Sequence, residues 1–152
     1  MLSFKSDEVV MNAFTDSVLS YFDETIDTEY DLGTPYLLKN EDIMNDYIGI
    51  IGISGNRVGY VIISSNRDAL GYMVRKVFEE EPDEELVQDM AGELVNTISG
   101  NVREFFGDEF LISTPIVLSG KFETIRFPKD IPIFSIPIQF EGHVMNLIIG
   151  IK

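Results

Sequence analysis

Two β-branched, apolar runs, Tyr47 to Ile53 and Val58 to Ile63, lie on either side of Gly55-Asn56. Such a pair of runs around a Gly-Asn turn reads as an antiparallel hairpin, so the fold must contain a sheet with sequence-adjacent antiparallel strands. Gly49, Gly52 and Gly59 fall inside the runs. A phosphate-cradling loop carries its glycines after a strand and before a helix. Glycines within strands indicate close packing or a bulge instead. Strand-like patterning returns at Ser113 to Ser119, Ile131 to Phe140 and His143 to Ile151, with Glu141-Gly142 turning the last two into a second hairpin. Pro132 and Pro137 each lack a ladder donor, which predicts an edge strand or a bulge there.

Helical patterns fill most of the rest. Ser6 is placed to cap a helix that opens on Asp7 and Glu8, and Val9, Val10, Phe14, Val18 and Phe22 follow at three- and four-residue steps. Asn66 is placed to cap a second helix running to Phe78, with Leu70, Met73, Val74 and Val77 on one side. The acids of Glu79 to Glu85 surround Pro82, a strong start for a third helix because acids complement the positive end of the helix dipole. That helix is expected to end near Phe106, with Gly107 as its stop. The stretch from Asp16 to Asp46 holds nine acids and one Lys and reads as solvated surface, interrupted by a short strand candidate at Thr34 to Leu38. Helix, hairpin, two helices and three strands predict an α+β fold, helices packed on a mainly antiparallel sheet, as a single domain over residues 1–152.

Composition narrows the chemistry. With 26 acids against 11 Lys and Arg, the net charge is −15, which argues against nucleic acid or an anionic membrane as partner. Having no Cys excludes disulfides, thiolate zinc and a cysteine nucleophile, and allows a cytoplasmic location. The opening MLSFKSDEVV has neither the basic nor the apolar region of a secretory signal. Lys121, Arg126 and Lys129 form a small basic cluster before the last hairpin.

The third helix concentrates the informative residues. On a wheel of about 100° per residue, Val87, Ala91, Leu94, Val95, Ile98, Val102 and Phe105 cover one broad face. Asp89, Glu93, Asn96 and Gly100 form a narrow stripe almost opposite. An ordinary exposed face would favour strong helix formers. Asn96 and Gly100 are poor ones at mid-helix, and Gly92 is another on the flank. Small and polar residues side by side suit the close approach of another surface. From spacing alone, a docking face and a plain solvated surface stand level.

The run Asp89-Met-Ala-Gly-Glu93-Leu-Val-Asn96-Thr-Ile-Ser-Gly100-Asn101-Val-Arg103 resembles the signature helix of the CheX-type chemotaxis phosphatases, within the CheC/CheX/FliY group. The pattern is an acid or Ser, Glu-x-x-Asn, then Gly-Asn and a basic residue. The resemblance extends to Ile112-Ser113-Thr114-Pro115 leading to Gly120, to Ile136-Pro137 through Gly150, and to the first hairpin; the N-terminal helix matches in type only. CheC-like chains carry two Glu-x-x-Asn helices and this chain has one. FliY-like chains add a flagellar switch domain, for which 152 residues leave no room.

The resemblance implies a homodimeric enzyme that removes the aspartyl-phosphate of a CheY-like response regulator. Its implied catalytic residues are Asn96, which orients the attacking water, and Glu93, which pairs with the regulator's lysine. Asp89, Gly92 and Gly100 would shape the binding face. The chain would need no metal of its own, since the regulator holds Mg²⁺. A phosphoryl transfer of this kind requires mainly positioning and charge neutralisation. The competing expectation is a non-catalytic module that docks on and sequesters a regulator or flagellar switch component. Other chemistry has weaker support. His143, the one His, has no carboxylate partners at ligand spacing; Ser54, Ser64 and Ser65 lack a nucleophile elbow; and Glu79 to Glu85 lack the spacing of a calcium loop.

Overall fold

The computed structural model describes residues 4–38, 46–120 and 130–152. The basic cluster Lys121, Arg126 and Lys129 lies outside the described residues, as does part of the acidic stretch. In chain order the elements are α1 (Phe4–Thr25), β1 (Tyr30–Leu32), β2 (Tyr36–Leu37), β3 (Tyr47–Gly55), β4 (Gly59–Ser65), α2 (Arg67–Met73), α3 (Glu84–Phe106), β5 (Phe110–Ile112), β6 (Ile116–Ser119), β7 (Ile133–Phe140) and β8 (His143–Ile151). Among the described residues the strands make one antiparallel sheet in the order β1-β7-β8-β4-β3-β5, with β2 following β1 along β7, and β5 and β6 sharing the outer edge of β3. The expected α+β class, with helices on an antiparallel sheet, is the observed one.

Strand alternation divides the sheet into two apolar faces. Ile51, Ile53, Val61, Ile63, Ile136, Ile138, Met145, Leu147 and Ile149 join the helices in the main core. Ile48, Ile62, Ile133 and Ile148 point the other way and form a smaller buried cluster with Leu38, Ile50 and Tyr60. α3 packs across β3 and β4, with α1 and α2 on its flanks. Ser17 on α1 donates to the Ile98 carbonyl at 2.8 Å, and Phe22 packs on Phe140 with ring centroids 5.6 Å apart.

Local chemistry sets the helix starts. Asn66 accepts from the Ala69 N–H, as its position predicts, and Asp83 accepts from the Leu86 N–H, each at 2.8 Å. Tyr47 and Arg67 both donate to Glu84 Oε2 at 2.7 Å, tying the first turn of α3 to β3 and α2. The Tyr47 hydroxyl bond is the chief reason that the Glu84 carboxyl titrates below its ordinary range.

Several expectations are corrected. α1 already includes Phe4, so Ser6 lies inside the helix rather than capping it. The second helix runs to Phe78 as expected, but its last five residues, Val74–Phe78, form a single π turn that stops at Glu79, whose φ of 56° is left-handed. The first hairpin does not close at a two-residue turn: pairing with β4 ends at Ile53↔Gly59, while Ser54 and Gly55 continue along the other edge of β3 as partners of β5. The run 113–119 is not one strand. Ser113 Oγ takes the Gly52 N–H, Pro115 has no N–H to give, and pairing resumes only at Ile116. Pro137 is not on an edge, since β7 lies between β8 and β1/β2. Its carbonyl accepts from Gly33 N at 2.8 Å. Its missing donor therefore faces the gap between β1 and β2, where no ladder bond is lost.

Phe105, expected in the core, is 66% exposed. Its neighbour Phe106 turns inward instead, stacking on Phe110 at 5.2 Å with the Arg57 guanidinium over its ring.

Candidate active site on the third helix

The apolar side chains of α3 leave one strip free. Val87, Met90, Ala91, Leu94, Val95, Ile98 and Val102 are buried, whereas Asp89, Glu93 and Asn96 are exposed and Gly100 is half-buried. The structure therefore brings the predicted stripe together on the outer face. Gly92 differs. It is buried, and a Cβ there would come within 3.3 Å of Val117 Cγ2, so its small size lets β6 close against the helix. A Cβ at Gly100 would meet nothing within 4 Å, so no packing among the described residues requires a glycine there.

Two open grooves flank the strip. One is lined by Phe78, Asp89, Glu93, Asn96, Pro115 and Val117. The other is lined by Asn96, Gly100, Asn101, Arg103, Glu104 and Leu111. Asn96 belongs to both and stands on the ridge between them. Its amide makes no hydrogen bond among the described residues, which leaves a donor and an acceptor for a partner.

Glu93 is held on one side. Thr97, one turn on, donates to Glu93 Oε1 at 3.1 Å, which leaves the carboxylate's remaining acceptor capacity open to a cation. Beneath it, the Tyr21 hydroxyl is buried without a hydrogen-bond partner among the described residues, and its titration is pushed well above the ordinary range by burial and then by the Glu93 charge. Tyr21 thus stays neutral at any physiological pH.

The other sequence candidates lie elsewhere. His143 starts β8, where its ring packs beside Tyr72 and Phe140 at 5.8 Å each. Among the described residues no group of three or more His, Asp or Glu is arranged to hold a metal ion. Sequence reasoning missed Thr97 and the groove walls Phe78, Pro115 and Val117. A Thr one turn after a Glu was a visible signal for the first. The walls come from other elements, and no local pattern announces them.

Residues 47–139 match the family model described as chemotaxis phosphatase CheX. Among curated protein sequences nothing matches. A CheC-like superfamily protein from Shewanella sp. PV-4 is 30% identical with a TM-score of 0.83, covering 94% of this chain and 97% of its own. Chemotaxis protein CheX from Vibrio vulnificus is 26% identical with a TM-score of 0.82, covering 94% and 99%. The CheX of a CheX–CheY–BeF3–Mg²⁺ complex from Borrelia burgdorferi is 21% identical with a TM-score of 0.78, covering 94% and 97%, and shares the fold. The family model takes in both the first hairpin and the whole of α3, and on that match the chain belongs to the CheX chemotaxis phosphatase family.

Proposed function

We propose that this chain hydrolyses the aspartyl-phosphate of a CheY-like response regulator, docking through the exposed strip of α3. The observation that carries the reading is the pair Glu93 and Asn96, one turn apart and exposed on a helix whose other faces are packed. Family membership and the CheX–CheY complex from Borrelia burgdorferi support the choice of partner.

Hydrolysis of an acyl phosphate needs a water held in line with the phosphorus and compensation of charge. The Asn96 amide enters the regulator's site and orients that water. Being neutral, it is not repelled by the phosphoryl oxygens as a carboxylate would be, and it can donate and accept at once. Glu93 pairs with the regulator's lysine and fixes the register of the two proteins. Asp89 and Gly100 shape the docking face, and Gly92 sets how closely β6 approaches it. Mg²⁺ comes with the regulator, so the chain brings none of its own. Such an enzyme works where its regulator is, in the cytoplasm.

The test is time-resolved loss of phosphate from labelled regulator at substoichiometric protein. Many turnovers per chain are expected; stoichiometric protection would identify a sequestering module instead.

The reading includes a homodimer. The single Glu-x-x-Asn copy supports it. So does the sheet face that no described helix covers, where β6 extends the row of Ile48 and Ile50 with Ile116, 60% exposed, and Leu118, 42% exposed. Sedimentation at micromolar concentration should give twice the chain mass, and a monomer would overturn this part.

A further inference from the structure

Cations are scarce in this chain, and those with described side chains are almost all engaged. Arg67 pairs with Glu84 at 2.7 Å, Arg75 with Glu81 at 3.6 Å, Lys76 with Asp27 at 2.9 Å and Lys152 with Asp130 at 2.7 Å. Arg57 lies over the Phe106 ring at 5.4 Å. Arg103 is the exception. Among the described residues its side chain makes no ion pair, ring contact or hydrogen bond, although acids outnumber bases by 26 to 11 in the chain as a whole. The neighbouring Glu104 lines the same groove without reaching ion-pair distance.

Its position sets Arg103 apart further. It follows Asn96 by seven residues, within about 20° of it around the helix and about 10 Å farther along the axis. It lines the groove on the far side of Asn96 from Asp89 and Glu93. The exposed face of α3 is therefore polarised along its length. Along the line of Asn96 it runs from two carboxylates through a neutral amide to a guanidinium without a partner among the described residues, with Glu104 on the flank of the same groove. A base in the last turn also complements the helix dipole. That effect bears on stability, and it does not require the base to share the groove of Asn96.

Resting on the function proposed above, we infer that Arg103 is a docking residue that pairs with a carboxylate on the response regulator. The lysine that meets Glu93 lies on one side of the phosphorylation site and this acid lies on the other. Opposite charges at the two ends of one helix face admit a complementary partner in a single direction, because the reversed orientation opposes like charges at both ends. A phosphoryl group in line with Asn96 leaves the guanidinium beyond it, so the anion assigned to Arg103 is a side-chain carboxylate.

The experiment measures kcat and KM for phosphorylated regulator at several ionic strengths, for the wild type and for Arg103→Gln, Arg103→Glu and Arg103→Lys. In parallel, the affinity for regulator saturated with Mg²⁺ and beryllofluoride is measured. Arg103→Gln should raise KM and Kd about two- to five-fold, the scale of an exposed pair, with kcat unchanged and a flatter salt dependence. Arg103→Glu should be worse and Arg103→Lys close to wild type. If the wild type binds without turnover, the enzyme reading fails, while weakened binding of Arg103→Gln still upholds the docking role. A normal wild type with KM, Kd and salt slope unmoved in Arg103→Gln overturns the inference alone, and an accompanying fall in melting temperature would assign Arg103 to the helix dipole. A fall in kcat at unchanged KM overturns it in favour of a direct role at the phosphoryl group. A wild type that neither binds nor turns over sinks both.

Discussion

Asn96→Ala should reduce turnover of phosphorylated regulator by on the order of 10²–10³, the usual cost of removing one preorganised polar group that acts in the transition state. Binding to a beryllofluoride-loaded regulator should stay within about two-fold of wild type, because the amide acts on water and contributes little to ground-state docking. Folding should not suffer. Asn96 is exposed, its amide bonds to nothing among the described residues, and alanine is the better helix former at mid-helix. Glu93→Ala should differ in kind. It removes a charge pair with the regulator's lysine, so KM rises together with the loss of turnover. Near-normal turnover in the Asn96→Ala protein would mean that water positioning belongs to another group.

The parts of this fold that could be read in advance are those set by local chemistry. β3 and β4 announce themselves as β-branched runs, and the Asn66 cap is made by a side chain and an N–H three residues apart. The exposure of Glu93 and Asn96 was legible for a similar reason: α3 has apolar residues over one broad face, so the opposite stripe must face out. Non-local pairing decided what was missed. Phe105 and Phe106 lie three and four residues after Val102 and are equally plausible core residues on a wheel; Phe110 on β5 selects Phe106. Pro137 predicts an edge only if its neighbour is continuous, and the interruption between β1 and β2 removes that premise. β1 was hidden because Tyr30 and Leu32 sit among acids and acquire strand character from pairing with Ile138 to Phe140. The π turn that ends in the groove wall Phe78 has no sequence signature that separates it from an ordinary helix end.

One glycine connects the sheet to the site, and its substitution should have the largest effect on stability. Gly49 lies on the helix-facing side of β3, directly under α3. A Cβ added there would come 2.7 Å from the Ala91 carbonyl oxygen and 3.1 Å from Ile63 Cγ2. The obstacle on the first side is helix backbone, which cannot rotate away as a side chain could. Gly49→Ala must therefore lift α3 from β3 or push β3 outward, against the packing of Leu94, Val95 and Ile98. Overpacking of this sort costs about 1–3 kcal/mol, which for a chain of this size lowers Tm by roughly 4–8 °C at the middle of that range. Because Glu93 and Asn96 follow Ala91 on the same rigid helix, the displacement reaches them too, and turnover at permissive temperature should fall about ten-fold, as misplacement of a catalytic group does. Gly52→Ala is the matching control. It lies on the same strand, three residues on, and its Cβ would make only an ordinary contact of 3.6 Å with Ser113 Oγ. The control should melt and turn over like wild type in the same calorimetric and phosphate-release measurements. If Gly49→Ala does likewise, α3 is not seated on β3 through that contact, and the position of Asn96 must be maintained by the Tyr47–Glu84–Arg67 tie and the Ser17 bond from α1 instead.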